Sequence, residues 1–439
     1  MVKYLSLIFI SLCFVNLSLT AQDISLNEAI SIGMEKNFSI RTAKNTEKEA
    51  IINSNYGYAG FLPVIDVTGA RNFDVENVEQ QFRTGITNEL DGARSNNFNV
   101  RGDLTWTLFD GTKMFLDYKS LQIERNQSRF ETQAVVENTL GNIIQSYFAL
   151  VFEQYQYTVL ESAVELSQQR LEIAEANYQV GKFSKTELLS AKVDLNTDKS
   201  NLLNHEEIKQ QARVSLNLLL GSDPNQELQA TDSMKIDDGL QLNILIDDLT
   251  VRNKQLLALM QQENILQLQN KSVMTELLPQ LDFNLGYGYT NFNSQAGFLL
   301  QNQSIGVNYG LSLSWRIFDR LDRSRRNQTT QIAVDNNTIA MEELQNQLTG
   351  DLSSAYIRYR NKLDLIELEK DNLEVAKENA EIAIERYRVG RSNAIELREF
   401  QLNAIEAESR LLNAIFLAKQ AEINLLAISG NLLNKDQFN

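Results

Sequence analysis

Apolar and polar residues alternate with a period of two in four segments of the chain, which predicts four β-strands. In the third segment, Leu281, Phe283 and Leu285 fall on one face, while Asp282 and Asn284 fall on the other. The strands are expected at about residues 64–72, 97–109, 281–290 and 305–318. Polar linkers are expected to join them in pairs, at about 73–96 and 291–303. Each pair would have one apolar face and one wet or small-residue face.

The period becomes helical after each strand pair and stays helical for roughly 65 residues, about 100 Å of helix. Apolar residues recur there at every seventh position, as in Tyr157, Val164 and Leu171. A sustained seven-residue period predicts left-handed supercoiling with neighbouring helices. Gly181 and Gly390 are predicted to end these helices, because glycine readily adopts the left-handed conformation.

A second, shorter helix is predicted after each of these glycines. A capping residue is followed three positions later by a glutamate, the signature of a helix start, at Ser184 with Glu187 and at Asn393 with Glu396. Ser25 opens another capped helix, expected to run to about residue 60, with a counterpart at about 240–277.

The order of elements occurs twice, so the chain is a tandem repeat. With an offset of 209 residues, the segment Trp106–Asp110 returns as Trp315–Asp319, and Tyr178–Gly181 returns as Tyr387–Gly390. We expect one repeat at 22–230, a second at 231–432 and a short tail at 433–439.

The first residues predict a cleaved secretory signal peptide over residues 1–21. Lys3 precedes a short apolar run that ends in small residues before Gln22. Cys13, the only cysteine, lies inside this run and would leave with it. The mature chain would then have no disulfide.

Composition narrows the possible functions. The chain of 439 residues has 3 Pro, one His, one Cys and a formal charge of −16. The low proline content favours long helices, and the acidity gives no reason to bind nucleic acid. No phosphate-binding loop is present, and one His and one Cys cannot build a zinc cage. We therefore expect no cofactor, no metal and no enzyme activity; a hydrolase that uses only carboxylates is the weakest alternative.

Four strands cannot close a barrel alone, and an open sheet in lipid would leave unpaired backbone groups. Three chains would supply twelve strands, within the range of outer-membrane barrels. Trp106 and Trp315 are then candidate anchors at the membrane interface, in contact with outer-membrane lipid. The alternative from the strands alone is an antiparallel sheet of a soluble protein.

The order of signal, capped helix, Leu-Pro strand pair, Trp-x-Leu-Phe-Asp segment, long helix and Tyr-x-Val-Gly turn resembles the TolC-like outer-membrane efflux proteins. The resemblance implies a mainly α fold with a transmembrane β-barrel portion: four strands per chain, a homotrimeric 12-stranded barrel and a long coiled-coil helical barrel in the periplasm. It also implies a passive exit duct of a tripartite efflux or type I secretion system. The implied partners are a periplasmic adaptor protein and an inner-membrane pump of RND or ABC type.

In that family, contacts between helical hairpins hold the periplasmic tip shut, and acidic rings narrow it. Carried over by motif, the gate residues are Tyr387, Glu396, Glu399, Thr186 and Glu187. The family's tip arginine would fall on Ser392, whereas Arg391 lies one residue earlier; Arg391 is counted among the gate residues, and the latch partner stays open. The tips that would contact the adaptor are Val180, Gly181, Val389 and Gly390.

Three alternatives remain open from the residues. Glu187 and Glu396 have an alternative role as capping-box acids, whereas Glu399 has no such explanation. Tyr387 fits packing in a helix seam as well as a latch. The whole chain could also be a structural coiled-coil scaffold or adhesin of the cell surface without a conduit, although this would not explain the two-faced strands.

Overall fold

The structure, a computed structural model, describes residues 22–432, so the predicted signal peptide and the tail at 433–439 lie outside the described residues. The fold is mainly helical with the four predicted strands in one sheet, and it has in addition a two-stranded sheet that was not predicted. In chain order, the elements are β1 Gln22–Ile24, α1 Leu26–Lys36, α2 Phe38–Asn53, β2 Val64–Gln81, β3 Thr87–Phe109, α3 Lys113–Gln179, α4 Lys185–Leu220, β4 Leu228–Ala230, α5 Leu242–Arg252, α6 Lys254–Thr275, β5 Gln280–Ser294, β6 Gln301–Ser314, α7 Asp322–Arg388 and α8 Ala394–Ser429.

The chain forms two compact units that do not coincide with the sequence repeats. Unit 1 contains residues 22–42, 135–252 and 348–432, and unit 2 contains 43–134 and 253–347. Each unit therefore takes segments from both repeats. The repeat describes the order of elements along the chain, whereas tertiary contacts join equivalent parts of the two copies.

Unit 2 contains an antiparallel sheet in the order β2-β3-β5-β6, with β2 and β6 at its edges. Three of its strands, β2, β3 and β5, are longer than predicted, because most of the expected linkers are strand and the turns span only 82–86 and 295–300. Backbone ladder bonds need no apolar side chains, so the pairing continues after the alternation ends. A bulge between Glu76 and Val78 interrupts the long hairpin, and there the Asn77 side chain accepts from the Gly92 amide at 2.8 Å.

The last strand has the predicted length of 14 residues but lies four residues earlier, from Gln301 to Ser314 instead of 305–318. The Arg323 Nη2 atom donates to the carbonyl oxygens of Arg316 and Ile317, at 3.2 and 3.3 Å. These carbonyls bond to a side chain of the following helix, so the segment after Trp315 forms a loop.

Both predicted interface tryptophans make the same contact in the two repeats. The Trp106 Nε1 atom donates to the Phe61 carbonyl at 2.9 Å, and the Trp315 Nε1 atom donates to the Leu277 carbonyl at 3.0 Å. Each carbonyl belongs to the residue before a Leu-Pro pair. The indole N–H thus links the end of one strand to the residues just before the start of the neighbouring strand, while the rings stay partly exposed.

The predicted helices at 25–60 and 240–277 are each broken in two, so this expectation was wrong. The breaks fall at Asn37 and Asn253, which occupy equivalent positions in the two repeats. Each asparagine Oδ1 accepts two backbone amides of the next helix, those of Ser39 and Ile40 and those of Gln255 and Leu256. An asparagine that caps a new helix competes with continuation of the old one.

We predict that Asn253→Ala destabilises the start of α6 by about 1 kcal/mol, because two amides lose their acceptor. Faster amide hydrogen exchange at Gln255 and Leu256 would report this loss. Asn253→Ser keeps an acceptor, so these two amides should exchange at close to the wild-type rate. Equal exchange rates in Asn253→Ala and the wild type would show that the cap contributes nothing.

The core of unit 1 joins the start of the described chain to the segment between the repeats. β1 pairs in parallel with β4, Gln22 opposite Leu228. The buried Tyr147 hydroxyl donates to Asp232 Oδ2 at 2.5 Å and lies 2.9 Å from the Ile24 carbonyl. Burial, reinforced by the Asp232 carboxylate, raises the pKa of Tyr147. This tyrosine holds three segments in register.

The long helices have the predicted length. α3 and α7 each contain 67 residues, about 100 Å, and α4 and α8 each contain 36. Gly181 and Gly390 end α3 and α7 with φ of 76° in both, and α4 and α8 follow directly. The two hairpins, α3–α4 and α7–α8, carry all the predicted gate residues.

Candidate functional site

The predicted adaptor-contact residues form the turns of the two hairpins. Gly181 and Gly390 adopt the left-handed conformation that an L-residue rarely adopts. Val180 and Val389, directly before them, are both exposed. Two exposed valines on tight turns are apolar surface that a helical partner could cover.

Tyr387 is buried close to the turn, with 1 % of its surface exposed. Its ring packs against Phe183, 5.2 Å between ring centroids, and against Ala383 and Leu397. Its hydroxyl has no hydrogen-bond partner among the described residues. Burial raises the pKa of Tyr387, and the Glu187 charge adds to this, while Arg170 acts in the opposite direction. The geometry is that of a residue packed in a helix seam.

Glu187 is used within its own helix start. The Ser184 amide donates to Glu187 Oε2 at 2.8 Å, and the Glu187 amide donates to the Ser184 hydroxyl at 3.2 Å. These two bonds form a complete capping box. Thr186, beside it, is exposed.

Glu396 and Glu399 differ in their contacts. The Glu396 carboxylate accepts from Ser392 Oγ at 2.8 Å and from Arg386 Nη1 at 2.9 Å, so no capping box closes on Asn393. The Glu399 side chain is exposed and has no hydrogen bond or ion pair with any described residue. Of the two acids, Glu399 is therefore the one whose carboxylate faces solvent without a paired cation in residues 22–432.

An ion pair that the sequence did not reveal joins the two hairpins. Arg398 of α8 donates to both carboxylate oxygens of Asp198 of α4, each at 2.7 Å. Ser167 of α3 lies 3.2 Å from Arg398 Nη1 and donates to the same Asp198 carboxylate. The Arg398 and Asp198 side chains are only 15 % and 6 % exposed. Three helices thus meet at one bidentate contact, the strong geometry for this pair.

A second pair lies beside it within the first hairpin. Arg170 of α3 bonds to Asp194 of α4 and is 1 % exposed. Its Nε and Nη1 atoms have no partner among residues 22–432. Burial lowers the pKa of Arg170, Asp194 opposes this shift, and Arg398 adds to it. A guanidinium with unpaired buried N–H groups works against tight packing of the hairpins.

Comparison of the two repeats explains why motif matching missed these residues. Their equivalents in the other copy, at the 209-residue offset, are uncharged: Ala376 for Ser167, Asn379 for Arg170, Asn403 for Asp194, Ala407 for Asp198 and Leu189 for Arg398. A motif search finds what the copies share. These residues are where the copies diverge, so only their contacts identified them.

Arg391, the remaining predicted gate residue, makes no contact between the hairpins. Its side chain is exposed, and its backbone amide bonds to the Arg386 carbonyl at 2.8 Å within the turn. In the part of the chain that the structure describes, no group of three or more metal-ligating side chains occurs.

The chain belongs to the outer membrane efflux protein family, which it matches over residues 30–222 and 245–431. It is therefore an outer-membrane channel protein rather than an enzyme, with its helical part in the periplasm. The TolC-like resemblance is confirmed. No curated protein sequence matched the chain.

Three solved structures have the same fold. The Campylobacter jejuni CmeC outer membrane channel is 17 % identical, with 92 % of this chain and 85 % of that chain covered and a TM-score of 0.74. The Vibrio cholerae outer membrane protein VceC is 14 % identical, with 92 % and 96 % covered and a TM-score of 0.69. The open state of the Neisseria gonorrhoeae MtrE outer membrane channel is 16 % identical, with 93 % and 89 % covered and a TM-score of 0.69.

Proposed function

We propose that three copies assemble into a water-filled duct, the passive exit channel of a tripartite efflux or type I secretion system. The observation that carries this proposal is the open four-stranded sheet of an outer-membrane protein. Its edge strands β2 and β6 each pair on one side only, with β3 and β5, so their outer edges have no partner within residues 22–432, and every residue of β6 is exposed. Unpaired strand edges are not tolerated in lipid, so neighbouring copies must pair them. Three sheets give twelve strands.

The apolar face of β6 supports a lipid-facing wall. All its large apolar residues are exposed on one side of the strand, namely Ile305, Val307, Tyr309, Leu311 and Leu313. The opposite positions are Gly306, Asn308, Gly310 and Ser312. A polar, small-residue inner face fits a water-filled lumen. Trp106 and Trp315 are proposed as the interface anchors at the end of this wall.

The gate is proposed at the hairpin tips, with the latch on Arg398 and Asp198. This pair joins the second hairpin to the first, and opening the tip would require the hairpins to separate. The exposed Arg391 is a gate residue without a contact of this kind. The Arg398–Asp198 pair would hold the tip together with the packed Tyr387 ring. Thr186 and Glu187 lie in the first turn of α4, at the tip of the α3–α4 hairpin, and are proposed as its part of the gate.

Glu399 and Glu396 are proposed as the acidic entrance. Three copies would bring six carboxylates towards one axis, which attracts cations and repels anions. Because Arg386 partly neutralises Glu396, Glu399 is expected to have the larger effect on selectivity.

The test is single-channel recording of the purified protein in a planar bilayer. We expect a small, cation-selective conductance, with most of the selectivity lost in Glu399→Gln and less in Glu396→Gln. Glu374→Gln, at an acid further from the tip on α7, is the matched control and should leave selectivity unchanged. A conductance with equal selectivity in all four proteins would contradict an entrance formed by these acids.

A separate prediction concerns the tyrosine. Tyr387→Phe removes a hydroxyl that is buried without a partner, so we expect no increase in conductance and a free energy of unfolding unchanged or raised by about 1 kcal/mol. Recordings beside thermal unfolding in detergent would show both. Opening of the channel by this substitution would mean that the hydroxyl, and not the ring, holds the tip.

The partners are proposed to be a periplasmic adaptor and an inner-membrane pump of RND or ABC type. The adaptor would cover the exposed turns at Val180, Gly181, Val389 and Gly390. Energy for transport would come from the pump, since the chain has no phosphate-binding loop.

A further inference from the structure

The loop between β6 and α7 has an amphipathic surface in unit 2. Four large apolar side chains in it are 59 to 76 % exposed: Trp315, Ile317, Phe318 and Leu321. Two arginines, Arg316 and Arg320, alternate with them and are exposed. Soluble proteins rarely expose four large apolar residues within seven positions. This loop is therefore expected to be covered by a membrane or by another apolar surface.

The backbone of this loop is held in an unfavourable conformation. Arg320 and Leu321 have φ of 60° and 65°, in the left-handed region. The equivalent of Arg320 in the first repeat is Gly111, with φ of 75°. Glycine adopts this conformation freely, whereas an arginine does not, so the second repeat retains a cation here against the local backbone preference. Such an outlier is a reason to look for a function.

Neighbouring charges fix the loop but leave its two arginines free. Arg323 bonds to Asp319 at 2.7 Å and to two loop carbonyls, and Arg326 pairs with Glu276 and Asp322. Neither Arg316 nor Arg320 has an ion pair or a side-chain hydrogen bond within residues 22–432. In a chain with a formal charge of −16, this is a local excess of positive charge beside a lipid-facing strand.

We propose that Arg316 and Arg320 bind the phosphate of an anionic glycerophospholipid on the periplasmic side of the outer membrane. The loop joins β6 to α7, and the helical part of the family is periplasmic, which places it at that interface. Guanidinium groups match phosphate in geometry and charge. Trp315, Ile317, Phe318 and Leu321 supply the apolar contact for the glycerol and acyl part.

Of the two repeats, only the second has this pair of arginines. At the equivalent positions the first repeat has Thr107 and Gly111, and the Thr107 hydroxyl is already bonded to Asp282 at 2.8 Å. The proposal depends on the outer-membrane location and not on the duct, so it stands or falls separately from the proposed function.

The experiment is native mass spectrometry of the protein released from nanodiscs that contain equal amounts of phosphatidylglycerol and phosphatidylcholine. The wild type should retain phosphatidylglycerol preferentially. With each arginine near a membrane surface worth about fivefold in affinity, Arg316→Gln/Arg320→Gln should lower this preference about twenty-five-fold. Arg358→Gln/Arg360→Gln changes two exposed arginines of α7 in unit 1 and should keep it.

Three results would overturn the proposal. One is a wild type without preference between the two lipids. Another is equal loss in the two double variants, which would indicate unspecific charge attraction. The third is an unchanged lipid preference with a changed number of copies per particle, which would mean that the arginines contact a second copy instead.

Discussion

Asp198→Asn is expected to raise the single-channel conductance by about an order of magnitude. Removal of one partner leaves the largely buried Arg398 charge without its counterion, which typically costs about 3–5 kcal/mol. Because that cost applies only while the hairpins are together, the equilibrium shifts towards the separated state in each copy. The conductance in a planar bilayer measures the shift.

Two further variants give this prediction its controls. The charge reversal Asp198→Arg/Arg398→Asp rebuilds the pair and should return conductance towards the wild-type value. Lys377→Gln removes an exposed ion pair with Glu408, 3.2 Å long, that lies within the α7–α8 hairpin and should change nothing. A closed channel in Asp198→Asn would show that the tip is held by other contacts.

Lys419→Met is expected to lower the free energy of unfolding of unit 1 by about 3–5 kcal/mol. The Lys419 ammonium lies 2.8 Å from Glu422 Oε1, and the two side chains are only 6 % and 2 % exposed. Without the lysine, Glu422 is a buried carboxylate held only by the Asp237 amide at 3.3 Å. Thermal unfolding in detergent measures the loss, and Lys419→Met/Glu422→Met should recover most of it.

The same pair gives a pH dependence with a definite sign. Burial raises the pKa of Glu422 in the folded chain, and Lys419 only partly opposes this. The folded state then keeps the proton to higher pH than the unfolded chain does. Its contribution to stability is complete below the unfolded pKa and is lost as pH rises through the folded pKa. Lys419→Met should therefore be least destabilised at low pH; a destabilisation independent of pH would contradict the role of Glu422.

Periodicity predicted most of the fold, because each long element carries its pattern over many residues. The 67-residue helices and the positions of the four strands follow from it. The strand ends did not, since the β2–β3 ladder continues through polar residues such as Asp74 and Glu76. The breaks at Asn37 and Asn253 were also missed, although a capping asparagine at matching positions of both repeats was visible in the sequence.

The candidate gate was predicted less completely, for a physical reason. Motif matching located the turns at Gly181 and Gly390, where both repeats need the same backbone conformation. The contact between Arg398 and Asp198 depends on which helices face each other, and a single repeat does not contain that information. For the same reason the motif match left the latch partner open; Arg391, which it placed among the gate residues, has an exposed side chain that contacts no facing helix.

The most direct test of the central claim is electron cryomicroscopy of the purified full chain in nanodiscs. The proposed duct predicts a threefold assembly in which β6 of each copy pairs with β2 of the next, around one central lumen that narrows at the hairpin tips. Particles without a lumen, in which the strand edges are covered in some other way, would contradict the duct and favour a surface scaffold.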